Sequence, residues 1–322
     1  RTNIVGTMAA TIPTITLNNG RHMPAVGLGT WQMDDAQAEK AVLQAIDLGY
    51  RHFDTAFIYH NEVAIGKAVR QKIREGVIKR EDVFITSKLW CTSHSPEAVL
   101  RACHRSHRYL SLDYIDLYLV HWPFGLKSKT EPLNPQVFDE FDSTSLEETW
   151  QEMEKCVDEG LVRSIGVSNY NSVQLARIVN AARIKPVINQ VECHVGLPQH
   201  QLLQFCREWG VAVSAHSPLG APYRPGRPRG APSTLEQPAL AQLAHKHGKT
   251  PAQIALRYVV QLGAIPLPKA SSVEHMRDNL KIFDFKLDKK EMETLDRLDK
   301  NDRLLTYPLA RHHLDWPFKI PF

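Results

Sequence analysis

Apolar and polar residues alternate along the chain in two different periods. Short, nearly continuous apolar runs are separated by stretches in which apolar residues return every third or fourth position. The first feature is a hairpin: "TITL", a turn "NNGRH", then "MPAVGLG", with Asn-Gly as the turn signal. Helical spacing follows in "DAQAEKAVLQAIDLGY", stopped by Gly49. "RHFDTA" reads as a strand, "NEVAIGKAVRQKIREG" as a helix and "DVFITSKLW" as a strand. "SPEAVLRACHRSHRYLS" reads as a helix with a serine cap and proline in its first position. The alternation continues with strands in "YIDLYLVHWP", "VRSIGVSNY", "KPVINQVEC", "VAVSAHSPLG" and "AIPLPKA". The intervening helices are "SLEETWQEMEKCVDEG", "NSVQLARIVNAA", "PQHQLLQFCREWG" and "TPAQIALRYVVQLG", and "SSVEHMRDNLKIF" closes the series.

Eight strand–helix units without a break in composition predict an α/β fold, a closed (β/α)8 TIM barrel with an N-terminal β-hairpin. The strands are apolar along their length, as strands covered on both faces must be. The 322 residues read as one barrel domain. Residues 1–7, before Met8, read as a leader or cloning remnant. Three segments interrupt the alternation: 124–144, 221–234 and the tail from 299. Loops of that length tend to carry function, and in a barrel they belong at the C-terminal face. The tail 299–322 is expected over the substrate pocket.

Composition narrows the function classes. With 43% hydrophobic and 23% charged residues the chain is that of an ordinary globular protein. Its net charge of +4 is scattered; the densest basic stretch, "YRPGRPRG", is too short for a nucleic-acid footprint. Five cysteines without a C-x-x-C pair imply free thiols in a reducing, cytoplasmic setting. No apolar run approaches the ~20 residues of a membrane span, and the start lacks a charged-then-apolar signal layout.

In barrels of this type chemistry sits at the C-terminal ends of the strands. Asp54 ends the second strand, with Tyr59 in the loop after it. Lys88 ends the third, His121 the fourth, Ser168 and Asn169 the fifth. Gln190 and Glu192 end the sixth, His216 and Ser217 the seventh, Lys269 the eighth. Any one of these could simply finish a strand. Asp54, Tyr59, Lys88 and His121, convergent from three consecutive strands, predict a catalytic group. Buried Asp and Lys on adjacent strands are expected to pair. A lysine beside a phenol is expected to lower its pKa, turning Tyr59 into a usable acid. A neutral His121 could donate to a substrate carbonyl, forming an oxyanion site with Tyr59. That set suits carbonyl reduction, given a hydride donor. His60, the obvious candidate by pKa, reads as a bystander.

The donor has no G-x-G-x-x-G to bind it; "VGLGTW" alone is weak. The better phosphate site is "PLPKASSVEHMRDN" (268–279), a lysine and two serines before a helix N-terminus. Plain capping by Ser271 or Ser272 remains the competing reading. Cys103, His104 and His107, His245 with His247, and His312 with His313 make no complete ligand set, so no metal is expected.

These residues stand in a recognisable frame. "MPAVGLGTW", "GYRHFDTAFIYHNE", "ITSKLW", "DLYLVHWP", "GLVRSIGVSNY", "NQVECH", "HSPLG" and "IPLPKASS" occur in this order, and the chain resembles the aldo-keto reductases from about residue 14 to the tail. The resemblance implies reduction of aldehydes or ketones by NADPH, with NADP+ as product. It implies a catalytic tetrad of Asp54, Tyr59, Lys88 and His121. Thr30 and Trp31 would lie at the nicotinamide end, and Ser168, Asn169 and Gln190 would bind the carboxamide. Ser217 and Leu219 would follow the pyrophosphate. Lys269, Ser271, Ser272 and Asn279 would meet the adenosine-phosphate end.

Three positions depart from the family pattern. His216 replaces a tyrosine stacked on the nicotinamide. His275 replaces an arginine that holds the 2′-phosphate. Tyr223 replaces an acid that latches a loop over the cofactor. Trp31, Trp90, Trp122 and Phe124, with Leu305, Tyr307 and Trp316 from the tail, predict an aromatic pocket for an apolar carbonyl compound. The chain is also similar in style to arthropod members, some of which reduce steroid ketones such as 3-dehydroecdysone, and monomer is the family's commonest form. Two other classes stay open: a catalytically silent barrel used for binding, and a Schiff-base enzyme using Lys88 or Lys269.

Overall fold

The computed structural model describes residues 12–127, 138–222, 224, 233–320 and 322. Among these, eight strands run parallel in one sheet: β3 (Leu28–Gly29), β4 (His52–Asp54), β5 (Phe84–Leu89), β6 (Leu117–Val120), β9 (Ile165–Ser168), β10 (Ile188–Glu192), β11 (Ala212–His216) and β12 (Ala264–Pro266). They pair in chain order from β3 to β12. The sheet then closes on itself. Gly27 N–H donates to Pro266 O at 3.1 Å and Gly29 N–H to Pro268 O at 3.1 Å, so the first and last strands share a seam. A Cβ at Gly29 would stand 2.8 Å from Leu267 O, so this approach requires glycine.

Helices α1 (Asp35–Leu48), α2 (Glu62–Arg74), α3 (Pro96–Leu110), α4 (Leu146–Asp158), α5 (Ser172–Ala181), α6 (His200–Glu208), α8 (Pro251–Leu262) and α9 (Val273–Leu280) follow successive strands. The (β/α)8 barrel predicted from the alternation is therefore present. One continuous apolar core lies between sheet and helices, from Leu28 and Val42 through Ile85, Trp150 and Tyr170 to Val259 and Leu295. Local signals set the helix ends. Asp34 caps α1 in a reciprocal box with Gln37, and Gly49 stops it with φ 103°. Ser95 stands at the start of α3 as expected, yet its side chain makes no cap hydrogen bond; Pro96 alone marks that end.

The N-terminal hairpin is shorter than the sequence pattern suggests. β1 (Thr14–Thr16) pairs with β2 (His22–Pro24), whereas "VGLG" leaves it to become the first barrel strand. The hairpin plugs the barrel floor: Leu17 and Met23 pack on Phe84, Leu117, Ile188 and Ile265. Asn18 Nδ2 ties it to Pro186 O and Gly210 O at 2.9 and 3.1 Å.

Two further helices, α7 (Pro238–His247) and α10 (Lys289–Asp296), lie outside the eight units, and "SSVEHMRDNLKIF" is helical only to Leu280. In the long 124–144 segment, β7 (Gly125–Lys127) and β8 (Glu140–Asp142) form an antiparallel pair. Residues 1–7, Tyr223 and the basic stretch after Arg224 lie outside the described residues. No helix among the described residues is long and apolar enough to cross a membrane.

Candidate active site

β4 delivers Asp54 to the barrel mouth, and the chain then turns through a short 3-10 helix, Phe57–Tyr59, that brings the Tyr59 hydroxyl back over the strand end. Asn61 fixes this loop. Its Nδ2 donates to Thr30 O and Met33 O at 3.0 and 3.1 Å, and its Oδ1 accepts from Thr55 Oγ1 at 2.7 Å. His60, with φ 57°, points to solvent. On β5, Lys88 faces the barrel axis and Ser87 the helices, where it donates to buried Glu62 at 2.5 Å. Lys88 Nζ donates to Asp54 Oδ1 at 2.6 Å and Thr55 O at 2.8 Å, and lies 3.4 Å from the Tyr59 hydroxyl. His121, just past β6, meets Tyr59 edge-on with ring centroids 5.7 Å apart, and Trp90 closes its other side at 5.3 Å. The geometry thus brings together all four residues of the expected tetrad.

The electrostatics differ from the sequence expectation at one point. The Tyr59 phenol is raised well above its ordinary pKa, first by burial and then by the Asp54 carboxylate. These two effects outweigh any lowering by the Lys88 ammonium, which lies 3.4 Å from the phenol and is paired with Asp54 at 2.6 Å. Burial pulls the Lys88 pKa down, and Asp54 opposes that pull. His121 is held well below its usual value, chiefly by burial and then by the Lys88 charge, so its ring is neutral. Its Nδ1 is buried with no partner among the described residues. A protonated phenol and a neutral imidazole at one point are two hydrogen-bond donors for a carbonyl oxygen.

A second row of polar groups lies beside the tetrad. Gln190 Nε2 donates to the other Asp54 oxygen, Oδ2, at 2.8 Å. Thr30 Oγ1 donates to Asp54 O at 2.9 Å. Ser168 Oγ donates to Gln190 O at 2.9 Å, and Asn169 Nδ2 to His121 O at 2.9 Å. His216 Nε2 donates to Asn169 Oδ1 at 3.1 Å, while Ser217 Oγ lies 3.3 Å from Nδ1. Those two bonds suit a neutral ring, and burial takes the His216 pKa down to about 4. Asn169 and Ser217 hold left-handed backbones, φ 62° and 53°, which turn the chain at the ends of β9 and β11. Trp31 is half-buried in the turn after β3, and Leu219 packs beside Val26 and Leu256.

At the seam, Lys269 bridges to the β3 side, its Nζ donating to Gln32 O at 3.1 Å. Ser272 caps α9 through its Oγ, which accepts from His275 N at 3.2 Å; Ser271 does not cap. The capping reading is thus correct for Ser272, and it coexists with exposed Ser271, Lys269 and His275 around a helix start. Asn279 is buried one turn on, beside the Tyr50 hydroxyl, and its Nδ2 makes no well-formed hydrogen bond among the described residues. This donor set, cationic at Lys269 and rich in N–H and O–H groups, fits a phosphate-bearing nucleotide end. Near the tetrad nothing among the described residues donates to Gln190 Oε1, which fits an incoming amide. No group of three or more His, Cys, Asp or Glu among the described residues could hold a metal ion.

Most of the aromatic residues expected at the pocket pack together. Trp90, Trp122 and Phe124 form one cluster with the tail residues Tyr307, Trp316 and Phe318. Tyr307 stands 6.1 Å from Trp90 and 5.8 Å from Trp122, and Leu305 is half-buried just before it. Phe57, Phe138 and Phe141 join this wall and carried no sequence signal, because their loops have no period. Glu192 was legible as a strand end, but not its task. It receives the tail's backbone amides, Leu304 N at 2.9 Å and Leu305 N at 3.0 Å.

Comparison with known proteins agrees with this geometry. The aldo/keto reductase family model matches residues 25–300. The chain is 45% identical over 315 residues to aldo-keto reductase family 1 member C1 of Macaca fuscata fuscata, covering 94% of this chain and 97% of that one. It is 42% identical over 295 residues to family 1 member A1-A of Danio rerio, covering 91% of each. Among solved structures, the aldose reductase of Schistosoma japonicum superposes with a TM-score of 0.89 at 40% identity, covering 97% of this chain and all of that one. A Bombyx mori aldo-keto reductase in complex with NADP gives 0.89 at 36% identity over 96% of this chain and all of that one. With its barrel, its strand-end residues and these relatives in agreement, the chain belongs to the aldo/keto reductase family.

Proposed function

We propose that the protein reduces aldehydes or ketones to alcohols with NADPH, Tyr59 supplying the proton. The observation that carries this is the convergence of the Tyr59 hydroxyl, the Lys88 ammonium and the His121 ring on one point of the barrel mouth. The nicotinamide supplies hydride to the carbonyl carbon when it is bound. As alkoxide charge builds on the substrate oxygen, the Tyr59 O–H bond breaks and the proton passes to that oxygen. Lys88, held by Asp54 and Thr55 O, steadies the phenolate left behind. Neutral His121 orients the carbonyl by donating to it, and the aromatic wall excludes water from the reacting atoms. Asn169, Gln190 and Ser168 are the groups for the carboxamide, with Thr30, Trp31 and His216 flanking the ring. Ser217 and Leu219 follow the pyrophosphate, and Lys269, Ser271, Ser272, His275 and Asn279 take the adenosine phosphate. A Bombyx mori relative solved with NADP supports that choice of cofactor.

Tyr59→Phe keeps the ring and removes the acid. It is expected to retain NADPH binding by fluorescence titration and to lose at least about a hundredfold in kcat. Turnover at the parent rate would end the assignment. A silent binding barrel is disfavoured by the intact tetrad, and a Schiff-base role for Lys88 by its ion pair with Asp54, which keeps the amine protonated. The Trp90, Trp122 and Tyr307 wall favours an apolar, aromatic or lipid-like carbonyl compound over a sugar. One relative is a prostaglandin-E(2) 9-reductase from Oryctolagus cuniculus, so bulky ketones, ketosteroids included, belong in the first substrate screen. The free, buried cysteines fit a cytoplasmic enzyme, and we read it as a monomer of one domain, which sedimentation would check.

A further inference from the structure

Strand β10 carries two inward-facing side chains at its mouth, Gln190 and Glu192, two positions apart and so on the same side of the sheet. Gln190 serves the catalytic carboxylate. Glu192 has no part in the tetrad, yet it is 3% exposed, and every bond it makes is to an identified donor. Its Oε1 accepts from His194 Nε2 at 2.8 Å and Leu304 N at 2.9 Å. Its Oε2 accepts from Leu304 N at 3.1 Å and Leu305 N at 3.0 Å. His194 is itself fixed, because its Nδ1 accepts from Gly196 N at 3.1 Å. Both oxygens are therefore committed, one to the barrel and both to the tail. A carboxylate so buried is costly unless its lone pairs are met by donors. It thereby selects the single tail position that brings Leu304 and Leu305 amides to it.

From that position the tail has little freedom before Tyr307. Only Thr306 separates Leu305 from Tyr307, and Tyr307 holds a left-handed φ of 49° that sends its ring between Trp90 and Trp122. On the other side of the anchor Arg303 lies over the Phe318 ring at 4.6 Å. We infer that Glu192 is a specificity-determining positioning residue. It sets the register of the tail against the catalytic strand ends and so fixes the width of the aromatic slot that admits the substrate. The same strand, through Gln190, holds Asp54. Slot and reacting groups are thus indexed to one element. The inference rests on the reading of this mouth as a carbonyl reductase site, but the anchor itself is testable without turnover.

Glu192→Gln is nearly isosteric; it replaces one acceptor oxygen by an amide that opposes the tail's N–H groups. Hydrogen–deuterium exchange is expected to show the Leu304 and Leu305 amides exchanging at least about tenfold faster in E192Q, as loss of a bond to a charged acceptor implies. Amides of β10 should be unchanged, which separates tail release from general unfolding. Steady-state assays should show the kcat/KM ratio of a bulky aromatic ketone to a small aldehyde falling about tenfold, mostly through KM. The double variant E192Q/Tyr307→Ala should be no less selective than Tyr307→Ala alone, since both act through one slot. Unchanged exchange at 304–305 would overturn the anchor. Faster exchange with an unaltered selectivity ratio, or additive effects in the double variant, would overturn the specificity role. If the parent protein reduces no carbonyl compound at all, the exchange measurement still decides the anchor, and the reductase reading fails separately.

Discussion

Lys88 Nζ lies 2.6 Å from Asp54 Oδ1, with the lysine side chain wholly buried and the aspartate nearly so. Neither charge is tolerable there alone. Lys88→Met would strand a carboxylate held only by Gln190 Nε2, at an expected cost of ~3–5 kcal/mol in urea unfolding. Adding Asp54→Asn should restore part of that stability, because it removes the stranded charge. A double variant as unstable as the sum of the singles would show that the two residues are not a unit.

The raised Tyr59 phenol predicts an asymmetric pH profile. A donor that holds its proton far above pH 7 is present in its acid form throughout the neutral range, so kcat for reduction should stay flat from about pH 6 to pH 9. Alcohol oxidation needs the phenolate and should rise steadily with pH over the same range. Neutral His121 adds no acidic limb near pH 6, because its proton is bound only well below that. A reduction rate that halves between pH 7 and pH 8 would mean the phenol titrates there after all.

Buried histidines set the acid limit of stability. His52 is lowered to about 3, His94 to about 4 and His216 to about 4, each chiefly by burial. In the unfolded chain the same rings bind protons near pH 6.5, so unfolding takes up protons first. The stabilisation is complete above pH 6.5 and drains away as pH falls toward 4, at about 1.4 kcal/mol per pH unit for each ring. Urea midpoints measured at pH 7.5, 6 and 5 should fall progressively. An unchanged midpoint would require these rings to be solvated in the native state.

At the proposed nucleotide end, exposed Lys269 stands near the Ser272 cap, and His275 lacks the permanent, bidentate charge of an arginine. Lys269→Met should therefore reduce the kcat/KM preference for NADPH over NADH by about tenfold, while His275→Arg should raise it. Dissociation constants for NADP+ and NAD+ measured in parallel should move in the same direction. If both variants leave the ratio untouched, the phosphate binds elsewhere.

Much of this molecule was written in period and position. The eight strands are short apolar runs buried on both faces, so their pattern survives without knowledge of the tertiary structure. Asp54, Lys88, His121 and Gln190 were legible because a polar side chain at the end of such a run is unusual. What resisted reading depends on non-local contacts. The splitting of "MPAVGLG" into β2 and β3 is decided by the partner each half finds, Thr14–Thr16 below and Pro266–Pro268 across the seam. Phe57 and Phe318 belong to the aromatic cluster only because two loops and the tail meet. The direction of the Tyr59 shift turned on its burial and on the Asp54 carboxylate beside it, which no spacing in the sequence encodes.

The seam between β3 and β12 bears on how the protein is made. Thr30 and Trp31 follow the first barrel strand and Lys269 the last, and Gly29 bridges directly to Lys269. The two strands of the seam therefore leave the ribosome more than two hundred residues apart. A nascent chain released before the eighth strand has no partner for Gly27 and Gly29, and its sheet stays open. Barrel closure is thus a late event, and any resistance to proteolysis that depends on the closed barrel begins only after the seam has zipped.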